Sequence, residues 1–371
     1  MILKLVVLLV LLNFRSSLGQ FLSCSYRNND TYGYTCDLTI QNPNGLNNFV
    51  SIGGTHLTGK TNNDVRRVLR VFGSNTTNVP SIICDKFQSV TRINMDYIGI
   101  QTIDEKAFEN CKKLQILNLS TNRITKVDEK AFTENLELID LDFFYNQLSE
   151  LSENLFKNQK KLTRLSLYSN KLSDLPKKIF NSFQNLISLN LGGNELKYPR
   201  VEWFLSLGSL QTLYLRINQI EQLPRNIFMP LKNMESIYLE NNNIKVINSD
   251  PFRGLYNLKT VFLSDNKIEA IDERFIDNTG VDTLIVPRNI CVHSNIFDNS
   301  TSRISMRLTL QDCFENFDDL IPAKFRILEE KISYLVSDLE NLNTRMDTQA
   351  RNHEELKNLV YELSNRPCAC K

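Results

Sequence analysis

The sequence predicts an α/β fold: a curved solenoid with a parallel β-sheet on its inner wall, capped at both ends and followed by an α-helical coiled coil. Three observations predict it. A short apolar pattern returns every 24 residues through the middle of the chain. Each copy contains an apolar–x–apolar core, the period-2 signature of a short strand with alternate residues turned inward. After Cys313 the period stops, and apolar residues step by four and three instead, which is the spacing of a helical seam.

The chain opens MILKLVVLLVLLNFRSSLG. Lys4, the apolar run Leu5 to Leu12, and the small residues Ser17 and Gly19 read as a signal peptide over 1–19. The competing reading, a membrane anchor, needs about 20 apolar residues, and this run is shorter. No other stretch is apolar enough to span a bilayer. A secreted, extracellular chain is therefore expected, with disulfides and glycans at the sequons beginning at Asn29, Asn75, Asn118 and Asn299.

Residues 20–65 read as an N-terminal cap. Tyr32, Tyr34, Cys36, Leu38 and Ile40 alternate onto one face of a half-buried strand. The segment FVSIGGTHLTG offers it a hairpin partner through Gly53 and Gly54. Cys24 and Cys36 are expected to pair inside this cap.

The repeats occupy 66–290. LQILNLSTNRI begins at Leu114, and its counterparts begin at Leu138, Leu162, Leu186, Leu210, Met234 and Leu258, each 24 residues after the last. VTRINMDYIGI from Val90 opens the series with Ile98 in place of asparagine. VDTLIVPRNIC from Val281 closes it, and a degenerate copy with Leu69, Val71, Val79 and Pro80 in register precedes it. The pattern resembles the leucine-rich repeat, L-x-x-L-x-L-x-x-N-x-L, over more than half the chain. The repeated asparagines (Asn122, Asn146, Asn170, Asn194, Asn218, Asn242, Asn266, Asn289) are expected to satisfy backbone groups that leave the strand without a ladder partner. Phe108, Phe132, Phe156, Phe180, Phe204, Phe228 and Phe252 share one repeat position and are expected to form a buried column behind the sheet. Cys84 takes that phenylalanine position and Cys111 lies three places further on in the next coil, so a Cys84–Cys111 bond is expected.

Cys291 and Cys313 bracket a C-terminal cap and join over 291–319 and are expected to pair. The next segment, 320–366, carries the seam Ile321, Phe325, Leu328, Ile332, Leu335, Leu339, Leu342, Met346, Gln349, His353, Leu356, Val360 and Leu363. A helix over 321–363 would run about 63 Å. A stripe this narrow needs a second helix from another chain, so a homo- or hetero-oligomer is expected. The alternative is one helix folded back on the solenoid. Pro367 ends the segment and opens the tail 367–371. Cys368 and Cys370 would then lie where parallel chains emerge together, placed for interchain disulfides. A metal site pooled between chains and a bridge within one chain are the competing readings of these two thiols.

On the inner wall one outward-facing column reads Asn94, Asn118, Asp142, Ser166, Asn190, Tyr214, Tyr238, Phe262, Ile285. Neighbours in it should stand about 4.8 Å apart. The aromatic end suggests contact with a protein ligand, with Arg216 and Glu240 as polar partners and Phe144, Tyr145 and Tyr168 as a second aromatic group. Simple pairing across strands is the plainer reading. The formal net charge of +1 points to neither nucleic acid nor an anionic membrane. No catalytic constellation, metal-ligand cluster or cofactor motif is present in the sequence, so no enzyme is expected.

Signal peptide, repeats, a short cysteine-containing join and a coiled coil together resemble the leucine-rich-repeat immune proteins of mosquitoes. That resemblance implies disulfide-linked complexes that bind complement-like thioester proteins or microbial surface molecules. The expected function is a secreted binding protein of innate immune recognition; the alternative is an extracellular-matrix or cell-adhesion component.

Overall fold

The computed structural model describes residues 20–29, 33–41, 49–72, 76–272, 275, 279–290, 296–297 and 357. The chain divides into two units, 1–314 and 315–371, and only Lys357 of the second is described. The expected signal peptide, the Cys291–Cys313 pair, the sequons at Asn75 and Asn299, the coiled coil over 321–363 apart from Lys357, and Cys368 and Cys370 lie outside the described residues.

One 14-stranded sheet organises the described chain. From one edge it runs Phe49–Gly53, Gln20–Asn29, Gly33–Gln41 and Arg67–Phe72, then through nine three-residue strands from Arg92–Asn94 to Thr283–Ile285, and ends at Ile296–Phe297. Pairing is parallel from Gly33–Gln41 to Thr283–Ile285. Each short strand buries its central residue and leaves the two flanking ones partly open, except that Arg164 is exposed. Stacked coils of this kind bury a continuous core that no single coil could hold.

The N-terminal cap differs from its expected hairpin. Gly33–Gln41 pairs antiparallel with Gln20–Asn29, and Phe49–Gly53 joins the far side of Gln20–Asn29 in parallel. Leu22 and Cys24 alternate inward opposite Tyr34, Cys36, Leu38 and Ile40, and only adjacent strands bring Cys24 and Cys36 to the 5.5 Å Cα separation of their disulfide. The first coil is also slipped by one residue. Val68, not Leu69, faces Ile93 and is fully buried. A one-residue slip exchanges the two faces of a strand, and the degenerate copy gave too few landmarks to fix it.

Behind the sheet the asparagines form a continuous ladder. Asn170 accepts from the Leu148 N–H at 3.0 Å and donates to the carbonyls of Phe143 and Leu167 at 3.0 and 3.1 Å. The same pattern recurs at Asn146, Asn194, Asn218, Asn242 and Asn266. Each amide joins its own coil to the one before it. At the first coil, where Ile98 replaces asparagine, Asn122 instead takes the three successive N–H groups of Ile98, Gly99 and Ile100.

The phenylalanines are all buried, and Phe108–Phe132 and Phe132–Phe156 stack at 5.8 and 6.5 Å. The column is then interrupted. Phe183 packs against Phe156 and against Phe180 at 5.5 and 5.7 Å, so the step to the next coil passes through a residue outside the repeat position. Cys84 and Cys111 are bonded across adjacent coils with Cα atoms 4.8 Å apart.

The α/β class needs correction. Helix in the described chain is limited to Ile82–Lys86, 3-10 turns at Asn62–Asp64, Val201–Trp203 and Asp250–Phe252, and lone helical positions at Phe275 and Lys357. The outer wall is otherwise built of turns and two small two-stranded sheets. Its backbone bonds, such as Ala107 N–H to Asp104 and Cys111 N–H to Phe108, span three residues. A segment this short, pinned at both ends by buried phenylalanine and leucine, cannot recover the cost of nucleating a helix.

Candidate functional site

Strand register delivers the inner-wall column as one row. Asn94, Asn118, Asp142, Ser166, Asn190, Tyr214, Tyr238, Phe262 and Ile285 are successive Cα partners. Its polar members have structural work: the side-chain oxygens of Asn118, Asp142 and Asn190 accept from the backbone N–H two residues on, at 2.8, 2.8 and 3.1 Å. Such Asx turns steer the chain out of the strand. The Asn118 sequon therefore sits on a half-buried strand position, while Asn29 ends the strand Gln20–Asn29.

At the other end the rings stack. Tyr214 and Tyr238 lie 4.5 Å apart with planes within 20°, and Tyr238 and Phe262 lie 4.4 Å apart within 9°. Two residues further along each strand, Phe144 stacks on Tyr168 at 5.4 Å and Tyr145 flanks Phe144 at 6.0 Å. These two aromatic groups are not separate. The next residues in the second row are Gly192, Arg216 and Glu240. A Cβ on Gly192 would stand 3.0 Å from Tyr168 and 3.1 Å from the Arg216 side chain, closer than ordinary contact. Because glycine leaves that space empty, the Arg216 guanidinium reaches 5.3 Å from the Tyr168 ring and 5.9 Å from the Tyr214 ring, within cation–π range of both. Arginine thus fuses the aromatic groups into one band. The pair Gly192-Gly193, standing where other repeats carry side chains, was the signal in the sequence.

The band is partly desolvated. Arg216 Nη1 lies 3.8 Å from Glu240 Oε1, while Arg216 Nε and Glu240 Oε2 are buried without a hydrogen-bond partner. Burial pushes the Glu240 carboxyl above its usual range, opposed by a backbone hydrogen bond and the Arg216 charge. Burial raises the Tyr238 phenol as well, helped by Tyr214. Polar groups held this way gain from any partner that completes their bonds.

One row further, Tyr97, Thr121, Tyr145, Ser169, Gly193, Ile217, Asn241, Asp265 and Arg288 all adopt left-handed backbone, with φ between 53° and 63°. From Tyr97 to Asp265 their N–H groups carry the ladder on to the next coil, as Tyr145 does to the Tyr168 carbonyl at 2.8 Å. Glycine and asparagine suit this conformation; β-branched residues do not. Ile217 nonetheless occupies it and is 45% exposed. Relieving that strain with Ile217→Asn should raise stability by about 1 kcal/mol. A thermal melt showing an unchanged or lower midpoint would mean that the isoleucine side chain offsets its backbone.

The repeats match two family models: the BspA type leucine rich repeat region, in 6 copies, over residues 77–204, and the leucine rich repeat over 200–244 and 232–289. No curated protein matches the chain. Similar solved structures include the TLR13–ssRNA13 complex (22% identity, TM-score 0.56, covering 62% of this chain and 32% of that one). The Toll–Spatzle complex of Drosophila is similar too (24%, 0.55, 61% and 33%), as is the APL1 leucine-rich repeat domain (19%, 0.50, 72% and 77%). The chain spans about a third of the length of the first two. At these identities the likeness shows the fold.

Proposed function

Because the chain is a leucine-rich-repeat protein, we propose that it is a non-enzymatic, secreted binding protein whose inner wall docks a protein ligand in innate immune recognition. The observation that carries this reading is the continuous band from Tyr145 and Phe144 through Tyr168 and Arg216 to Tyr214, Tyr238 and Phe262. Aromatic and arginine side chains dominate the energetic centres of protein interfaces, and a set already stacked loses little entropy on binding. Glu240 and Arg216 add a polar pair whose unused atoms a ligand can complete.

Similar folds bind ligands of more than one kind: the Toll structure holds Spatzle, and the TLR13 structure holds single-stranded RNA. Here a protein ligand is favoured. Arg216 is offset by Glu240 and Arg164 by Asp140, and the chain carries almost no net charge, whereas RNA binding draws on many uncompensated cations. The two disulfides suit an extracellular chain. The seam over 321–363 gives the reading its multivalency: oligomers joined there, and locked at Cys368 and Cys370, would present several inner walls at once. Likeness to the Toll–Spatzle complex, described as a hub in Drosophila development and innate immunity, supports the immune reading.

Affinity capture from extracellular fluid should return a protein whose binding weakens at least a hundredfold in the double variant Tyr214→Ala/Tyr238→Ala, with folding preserved. Unchanged affinity would make the stack purely structural. Sedimentation, with gels run with and without reductant, checks the linked assembly, which a single-chain mass would refute.

A further inference from the structure

A second recess opens beside the inner wall, at the row of left-handed residues. Its volume is about 400 Å³, and Tyr97, Thr121, Tyr145, Gly99, Gln101, Arg123 and Gln147 are among its lining residues. The sequence explains why it exists. Along the left-handed row, small Thr121 stands between Tyr97 and Tyr145. Two positions further along the coils, Gly99 (φ 89°) stands where the following coils carry Arg123 and Gln147. A small side chain at Thr121 and none at Gly99 leave a hollow between two tyrosines. Tyr97 is 81% exposed and Tyr145 60%, a large apolar area for a surface to leave open in one place.

We propose that this recess is a binding subsite for one saccharide ring of an oligosaccharide. The tyrosines are two coils apart, about 9.6 Å along the sheet. A ring packed at about 3.5–4.0 Å from each face fits that gap once and not twice. Sugar rings present apolar C–H faces above and below and hydroxyls around the rim. The recess has matching chemistry: two tyrosines line it together with the polar residues Gln101, Gln147 and Arg123. Those three side chains make no hydrogen bond or ion pair among the described residues, so their donors and acceptors are unspent. A nucleobase would stack equally well, but its phosphates need several cations, and among the described residues Arg123 is the only charged one lining the recess. The recess shares Tyr145 with the aromatic band, but its test rests on Tyr97, so the proposal survives failure of the protein-docking reading.

The ring can belong to a foreign glycan or to a sugar on Asn118, three residues from Thr121. Titration of the full-length protein with chitotetraose, laminaritetraose and a high-mannose oligosaccharide, followed by saturation-transfer NMR, separates the two. Binding of at least one probe before and after enzymatic removal of N-glycans shows a site open to foreign sugar. Binding only after removal shows a site filled by the chain's own. In both cases Tyr97→Ala should weaken binding at least tenfold and Tyr97→Phe by less than threefold, with circular dichroism unchanged. No binding in either state, equal affinity of Tyr97→Ala and the parent, or binding of oligouridylate in place of every sugar would overturn the proposal.

Discussion

Replacing Phe132 with alanine should lower the unfolding free energy by about 3–5 kcal/mol. Its side chain is fully buried. Phe108 and Phe156 lie stacked on either side and Phe143 meets it edge-on at 6.2 Å, so alanine opens a void lined by three rings held by other coils. Those rings cannot collapse inward without moving backbone that the asparagine ladder and the sheet both hold, which puts the cost at the upper end for a large-to-small change. Urea unfolding followed by circular dichroism checks the shift. A loss under about 1 kcal/mol would show that the outer wall closes over voids easily. Separation into two transitions would show that the break uncouples the coils on either side, the outcome natural to a nearest-neighbour stack.

The second large effect is at Asn170. Asn170→Ala should cost about 3–5 kcal/mol. The pattern of loss is specific. Leu148 N–H loses its acceptor and is left buried and unpaired. The Phe143 and Leu167 carbonyls each keep one donor, from Asn146 and Asn194, and so lose a bond without being orphaned. One stranded donor at about 1–3 kcal/mol and two lost bonds at about 1 kcal/mol each make the sum. Asn170→Asp should be worse although nearly the same shape, because it turns the donor into a charge facing two carbonyls. Hydrogen exchange at Leu148 gives a local readout: its amide should lose protection first. An Asp variant as stable as the alanine one would mean that shape, not donor chemistry, is what the position requires.

Both residues were legible in the sequence for one reason: each recurs at a fixed place in a 24-residue period. The inner-wall column was legible on the same ground, since strand alternation decides which side chains face out. Features that depend on departures from the period were not legible. Phe183 falls outside the phenylalanine register, so its insertion between Phe156 and Phe180 follows only from packing. Val68 displaced Leu69 because both are apolar and adjacent, and only the pairing with Ile93 chooses between them. Arg216 was placed near the tyrosines, but its bridging role rests on an absence at Gly192, a contact between residues two coils apart. Helix on the outer wall was expected from the fold class; the length of wall available between pinned residues decided otherwise.

The shared carbonyls of the asparagine ladder have a consequence for how such a chain changes length. From Asn146 to Asn266 each junction between coils offers the same donors to the same acceptors, so excising one whole period there rejoins chemically equivalent ends. Excising half a period ahead of Asn170 instead brings Ser182 to its place, against carbonyls that need an amide. Growth and shrinkage are thereby quantised, and the aromatic band can be carried toward or away from the cap in whole-coil steps without redesign of either.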